Sequence, residues 1–132
     1  VCQIYSTILI VAAQDKAQAL QELPLRLLVM DTGKEAIRCL REEQIDTVVS
    51  RWNVVDMPDG MLLEKITAAR AKIPTVAFIE PGNMEQEVVA RSLGVNVILS
   101  DDIDDDYFRS TVCQILHIED IAAVTVAAGQ MQ

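Results

Sequence analysis

Few side chains in this 132-residue sequence are placed to do chemistry. There is one histidine, His117, so any Ser-His or Cys-His pair would depend on it alone. It falls near the end of a predicted helix and reads as a helix C-terminal or surface residue. The three cysteines, Cys2, Cys39 and Cys113, lack C-x-x-C spacing and read as small buried apolar residues. That usage fits a reducing, cytoplasmic setting. Five carboxylates crowd one stretch: Asp101, Asp102, Asp104, Asp105 and Asp106. They lack the spaced ligands and central glycine of a calcium loop. A solvated loop running into a helix N-terminus, capped by its carboxylates, is the expectation there. No metal or other cofactor is expected.

The elements that must carry these residues alternate regularly. Thr7–Ala12, Leu25–Met30, Thr47–Arg51, Thr75–Ile79 and Val97–Leu99 are short apolar runs, the pattern of strands buried on both faces. Helical spacing links them. It predicts helices over Asp15–Leu23, stopped by Pro24, and over Lys34–Glu43, after an Asp31-Thr32-Gly33 turn. Further helices are predicted over Met61–Ala71, over Met84–Leu93 with Gly94 as its stop, and over Asp104–Leu116. A long loop, Trp52–Gly60, follows the third strand. The chain reads as one α/β domain over 1–117, a three-layer sandwich of five parallel strands and five helices with right-handed crossovers. Residues 118–132 read as a helical extension or flexible tail.

The charge narrows the partners. With 20 acidic and 11 basic residues the formal net charge is −9, which disfavours nucleic acid as a partner. No apolar run is long enough for a membrane span, and no basic stretch precedes the first hydrophobic segment as a secretory signal would require.

Three segments resemble response-regulator receiver domains of the CheY-like, flavodoxin-like superfamily. They are DTGKEAIRCLREEQID leading into the third strand, DTVVSRWNVVDMPDG running from it into the loop, and GVNVILSDD around the fifth strand. With IPTVAFIE, the likeness covers about residues 7–116. It implies strand order 2-1-3-4-5, a role in a bacterial two-component system or phosphorelay, and phosphoryl transfer to an aspartate. That chemistry requires carboxylates to hold Mg²⁺, with a lysine and a hydroxyl to neutralise the phosphoryl oxygens.

Each of those positions carries a different residue here. The acidic pair after the first strand falls on Ala12 and Ala13. The acceptor falls on Arg51, or on Trp52 if the extra residue of the following loop is placed one step earlier. The Ser/Thr position falls on Ile79, the lysine on Asp101, its following proline on Asp102, and the aromatic switch on Ile98. The resemblance is therefore to an atypical pseudo-receiver, not an enzyme: a phosphorylation-independent module that binds a regulatory protein or a second copy of itself. In the family the fourth helix, fifth strand and fifth helix form a common partner surface. Glu87, Arg91, Ile98 and Tyr107 are candidates there; Trp52 is expected to pack over the sheet edge, with a partner-contact anchor as its alternative role.

Arg51 and Asp101 invert the family's charges and are expected either to pair or to be separately solvated. Asp15 and Glu80 are other partners for Arg51. Asp56 and Asp59 read as turn and capping residues, and Ser50 as core. Two alternatives remain: a small-molecule-sensing domain with its ligand at the strand carboxyl ends, and an active receiver whose alignment slips by one residue.

Overall fold

The computed structural model describes residues 6–117, so the 118–132 segment lies outside the described residues. Five strands form one parallel sheet: β1 (Ser6–Val11), β2 (Leu25–Met30), β3 (Thr47–Arg51), β4 (Thr75–Ile79) and β5 (Val97–Ser100), in the order β2-β1-β3-β4-β5. In register, Leu9 pairs with both Leu28 and Val48, Arg51 with Phe78, and Ile79 with Ser100. The central strands β1, β3 and β4 are almost entirely buried and mostly apolar, because helices cover both faces and leave no solvent side for polar alternation.

The helices are α1 (Gln14–Ala17), α2 (Gly33–Glu42), α3 (Met61–Ala69), α4 (Met84–Ser92) and α5 (Asp105–Leu116). Alternate strand residues face opposite layers. Ile8, Ile10, Val49, Val76, Phe78 and Leu99 pack beneath α1 and α5, where Phe78 meets Phe108 edge-on with centroids 5.1 Å apart. On the other face Leu9, Val11 and Val48 pack beneath α2 and α3, while Ala77 and Ile79 pack with Trp52, Leu63 and Ala90 towards α4. Among the described residues no helix is long and apolar enough to cross a membrane.

Helix starts follow local capping. The Thr32 hydroxyl accepts from the Glu35 amide at 3.2 Å and donates to the Glu35 carboxylate, drawing the start of α2 forward to Gly33. The Asn83 and Asp104 side chains accept from the amides of Gln86 and Tyr107 at 3.0 and 2.7 Å. Asp104 is thus the cap that the acidic run was expected to supply.

Most boundaries shift by about a residue from the predicted ones: β1 spans Ser6–Val11, α1 begins at Gln14, α2 ends at Glu42, α4 ends at Ser92 and α5 begins at Asp105. The first helix does not reach Leu23: after four α residues it tightens into a 3₁₀ turn, Gln18–Leu20. Pro24 disfavours helical geometry at the residue before it, so the chain leaves the helix early. α3 ends at Ala69 rather than Ala71, with Arg70 non-helical, and β5 gains Ser100.

Trp52 is 5 % exposed, its amide bonded to the Phe78 carbonyl at 2.8 Å and its carbonyl accepting from Gly60 at 2.9 Å. Its ring belongs to the core, in keeping with the expected packing, and this corrects only the alternative that made Trp52 an accessible partner contact. Gly60 lies beneath that ring at φ 76°, and a Cβ there would stand 2.4 Å from Trp52 Cη2. Gly60→Ala therefore combines left-handed strain with a steric clash and should cost about 1–3 kcal/mol. Urea denaturation checks this; an unchanged midpoint would show that the loop does not depend on this close approach.

Candidate functional site

Parallel strands all end at one edge, and β1, β3 and β5 bring Ala12, Arg51 and Asp101 together there. Arg51 is the last residue of β3, and each of its three guanidinium nitrogens finds an acceptor. Nη1 donates to the Ala12 carbonyl at 2.9 Å and Nη2 to Asp15 Oδ2 at 2.8 Å. Nε and Nη2 both reach Asp101 Oδ1, at 3.2 and 3.1 Å. The side chain thus joins the end of β1, the start of α1 and the end of β5. Arg51 meets Asp101 through a single carboxylate oxygen, and Asp15 takes up the remaining reach.

Lys16 completes the arrangement and is the member that sequence reasoning missed. Its Nζ donates to the Asp101 carbonyl at 2.8 Å, lies 3.9 Å from Asp101 Oδ1, and sits 4.9 Å from the Phe78 ring centroid. The residue is buried, 7 % exposed. Its stem lies in the apolar layer and its ammonium over an aromatic face, the common way to bury a lysine. Its position was readable: residues 13, 16, 17 and 20 share one helical face, and Ala13, Ala17 and Leu20 are all core.

Two carboxylates and two cations therefore meet at the sheet mouth with no formal excess of charge. The Asp15 carboxyl is held below the ordinary value of 3.8, chiefly by its hydrogen bond from Arg51. The guanidinium is held further into its charged form by Asp15 first, and then by Asp101, against the cost of partial burial.

The remaining candidates are placed as follows. Ala13 is fully buried beneath α1. Ala12 adopts φ 56°, a left-handed conformation costing a non-glycine about 1–2 kcal/mol, and is anchored by its amide on Met30 O at 2.9 Å. Ile79 is buried in the α3–α4 layer, and Ile98 packs half-buried against it. Glu80 turns away from Arg51 into the start of α4, where its amide donates to Gln86 and its carboxylate accepts from Asn83. Ser50 is buried, donating to the Arg51 carbonyl. Asp56 receives the amides of Gly33 and Lys34 at 2.6 and 3.0 Å, capping α2 from the distant β3–α3 loop and holding its own carboxyl below the usual range. Asp59 occupies a turn at φ 57°. Glu87 and Arg91 form an i,i+4 ion pair at 2.8 Å on α4, and Tyr107 is exposed on α5.

Solved structures similar to this one include receiver domains. The signal receiver domain of an HD domain-containing protein from Pseudomonas fluorescens superposes with a TM-score of 0.78 at 22 % identity, covering 86 % of this chain and 96 % of that one. A CheY-like receiver domain from Methanospirillum hungatei gives 0.78 at 17 % identity, covering 86 % and 95 %. The receiver domain of a Pseudomonas aeruginosa sensor histidine kinase, with a magnesium ion coordinated in its active-site cleft, gives 0.74 at 14 % identity, covering 86 % and 99 %. No family model and no curated protein matches the sequence. At these identities the likeness establishes the fold, that of the response-regulator receiver domain.

A divalent cation does not fit the residues at the corresponding edge. Ala12 and Ala13 offer methyl groups, and Asp15 and Asp101 are already engaged by Arg51, with Lys16 beside Asp101. A dication there would have to displace or face two fixed positive charges. Among the described residues no three histidine, cysteine, aspartate or glutamate side chains converge as metal ligands.

The Arg51 and Asp101 side chains are 30 % and 38 % exposed, so solvent screens their attraction. A double-mutant cycle with Arg51→Met and Asp101→Asn should give a coupling of roughly 0.5–2 kcal/mol; a coupling near zero would mean that the contact is incidental. The Asp15 pair carries a pH signature. Because its folded carboxyl lies below 3.8, its contribution is present above that value and fades as pH falls through the depressed folded value. Asp15→Asn should therefore lower stability more at about pH 7 than at about pH 2, as read by denaturation at both values. An equal loss at both would point to packing instead.

Proposed function

We propose that this chain is a phosphorylation-independent signalling module, a receiver fold that works by binding protein rather than by accepting a phosphoryl group. The observation that carries this reading is the tie from Arg51 to Ala12, Asp15 and Asp101. Acyl-phosphate chemistry needs a carboxylate nucleophile beside a dication and a cation that answers the phosphoryl charge. Here a guanidinium stands at the nucleophile position and is neutralised internally. Arg51 and Lys16 supply fixed positive charge where an active receiver would recruit it.

The usual link from such a site to a distant surface is also replaced. Ile79 and Ile98 are apolar neighbours in the α4-facing layer. Neither can gain or lose a hydrogen bond when charge changes at the sheet edge, so one conformation is favoured until a partner binds. The α4–β5–α5 surface suits a protein partner or a second copy: Met84 and Val88 are 75 % and 64 % exposed one turn apart, with Tyr107 on α5. Such a partner would meet the domain in the cytoplasm. The guanidinium occupying the sheet mouth weighs against a small-molecule sensor whose ligand binds there.

Beryllofluoride with Mg²⁺, a mimic of the acyl phosphate, tests the proposal through amide chemical shifts of the whole chain. No change is expected at Ala12–Asp15, Arg51 or Ile98–Asp102. Saturable shifts centred on those residues would establish an active receiver and end the proposal.

A further inference from the structure

The charge of this chain is strongly negative, yet its unpaired cations are concentrated. Of eleven lysines and arginines, six approach a carboxylate within ion-pairing distance. Among the described residues, the other five are Lys34, Arg41, Lys65, Arg70 and Lys72. Three of these five, Arg41, Lys65 and Arg70, line one groove between α2 and α3. Its volume is about 450 Å³, its apolar lining comes from Ile37, Leu40, Ile66 and Ala69, and no carboxylate borders it.

Helix-end electrostatics explain only part of this. Arg41 lies in the last turn of α2 and complements that helix dipole. Arg70 reaches across and donates through Nη2 to the Leu40 carbonyl at 3.2 Å. That bond covers an α2 carbonyl which would otherwise repel an anion. Lys65 stands in the middle of α3 with neither explanation. Three like charges around one cavity repel each other, and an anion between them would relieve that repulsion.

We propose that the α2–α3 groove is a binding site for a small anionic amphiphile, a carboxylate or phosphate carried on a short apolar body. The volume is that of a small-ligand pocket. The lined part of α3 runs only from Lys65 to Ala69, about 6 Å at 1.5 Å per residue, too short to seat a partner helix along its length. The charged head meets Arg41, Lys65 and Arg70, and the apolar body lies against Ile37, Leu40 and Ile66. This site is on the opposite face of the sheet from α1 and α5 and is independent of the proposal for the sheet mouth.

The test is amide-shift titration of the whole chain with sodium octanoate, octyl phosphate, octylammonium, inorganic phosphate and a soluble polyglutamate peptide. Octanoate and octyl phosphate, below their micelle concentrations, should shift residues 37–41 and 65–70 saturably, and their relative strength tells which head group is preferred. Octylammonium should leave them unmoved. The exposed double substitution Arg41→Glu with Lys65→Glu should weaken the response at least about tenfold while leaving the other resonances in place. No saturable shift with either amphiphile, an equal response to octylammonium, or a response as strong to inorganic phosphate alone would overturn the proposal. So would binding of the peptide in the absence of amphiphile binding.

Discussion

A guanidinium only partly exposed to water must find acceptors for its fixed, planar set of donors, and that requirement organises the working edge of this sheet. Arg51 finds them on three separate pieces of chain: the carbonyl of Ala12, the carboxylate of Asp15 and the carboxylate of Asp101. Those contacts hold the β1–α1 turn and the end of β5 against β3. Lys16 adds a second cation from the layer below, bonded to the Asp101 backbone and set over Phe78. The edge is therefore cross-linked by side chains that would ordinarily be left free to meet a ligand.

The consequence is best seen as a question of where charge balance comes from. An open α/β sheet collects strand ends, loop amides and helix N-termini at one edge, which makes it a ready place for ligands. In the Pseudomonas aeruginosa receiver domain, a magnesium ion is coordinated in the active-site cleft. Here cation and carboxylate are both covalently part of the chain, with Asp15 and Asp101 facing Arg51 and Lys16. The strand edge is therefore satisfied from within the chain.

Much of the fold was legible because strands buried on both faces leave uninterrupted apolar runs, as in Ile8–Val11 and Val76–Ile79. Caps such as Thr32 with Glu35, and Asp104 ahead of α5, were equally local signals. What was not legible depended on distance or on competing local rules. Asp56 caps α2 from 23 residues away in sequence, a pairing that only the folded loop reveals. The early end of the first helix reflects Pro24 acting on the residue before it rather than the apolar spacing that extends to Leu23. Lys16 was hidden because a lysine in a helix reads as surface, although its neighbours on that face are all core. Trp52 was expected to pack over the sheet edge, but its close approach to Gly60, eight residues on, depends on how the loop folds back.

If internal cations keep a dication out of the sheet edge, paramagnetic Mn²⁺ reports on this most directly. Titrated into the whole chain, Mn²⁺ is expected to leave the amides of Ala12–Asp15, Arg51 and Ser100–Asp102 no more broadened than the rest of the acidic surface. In Arg51→Ala, with Asp15 and Asp101 released, broadening should become localised there. Strong, saturable broadening at those residues in the unaltered chain would contradict the claim.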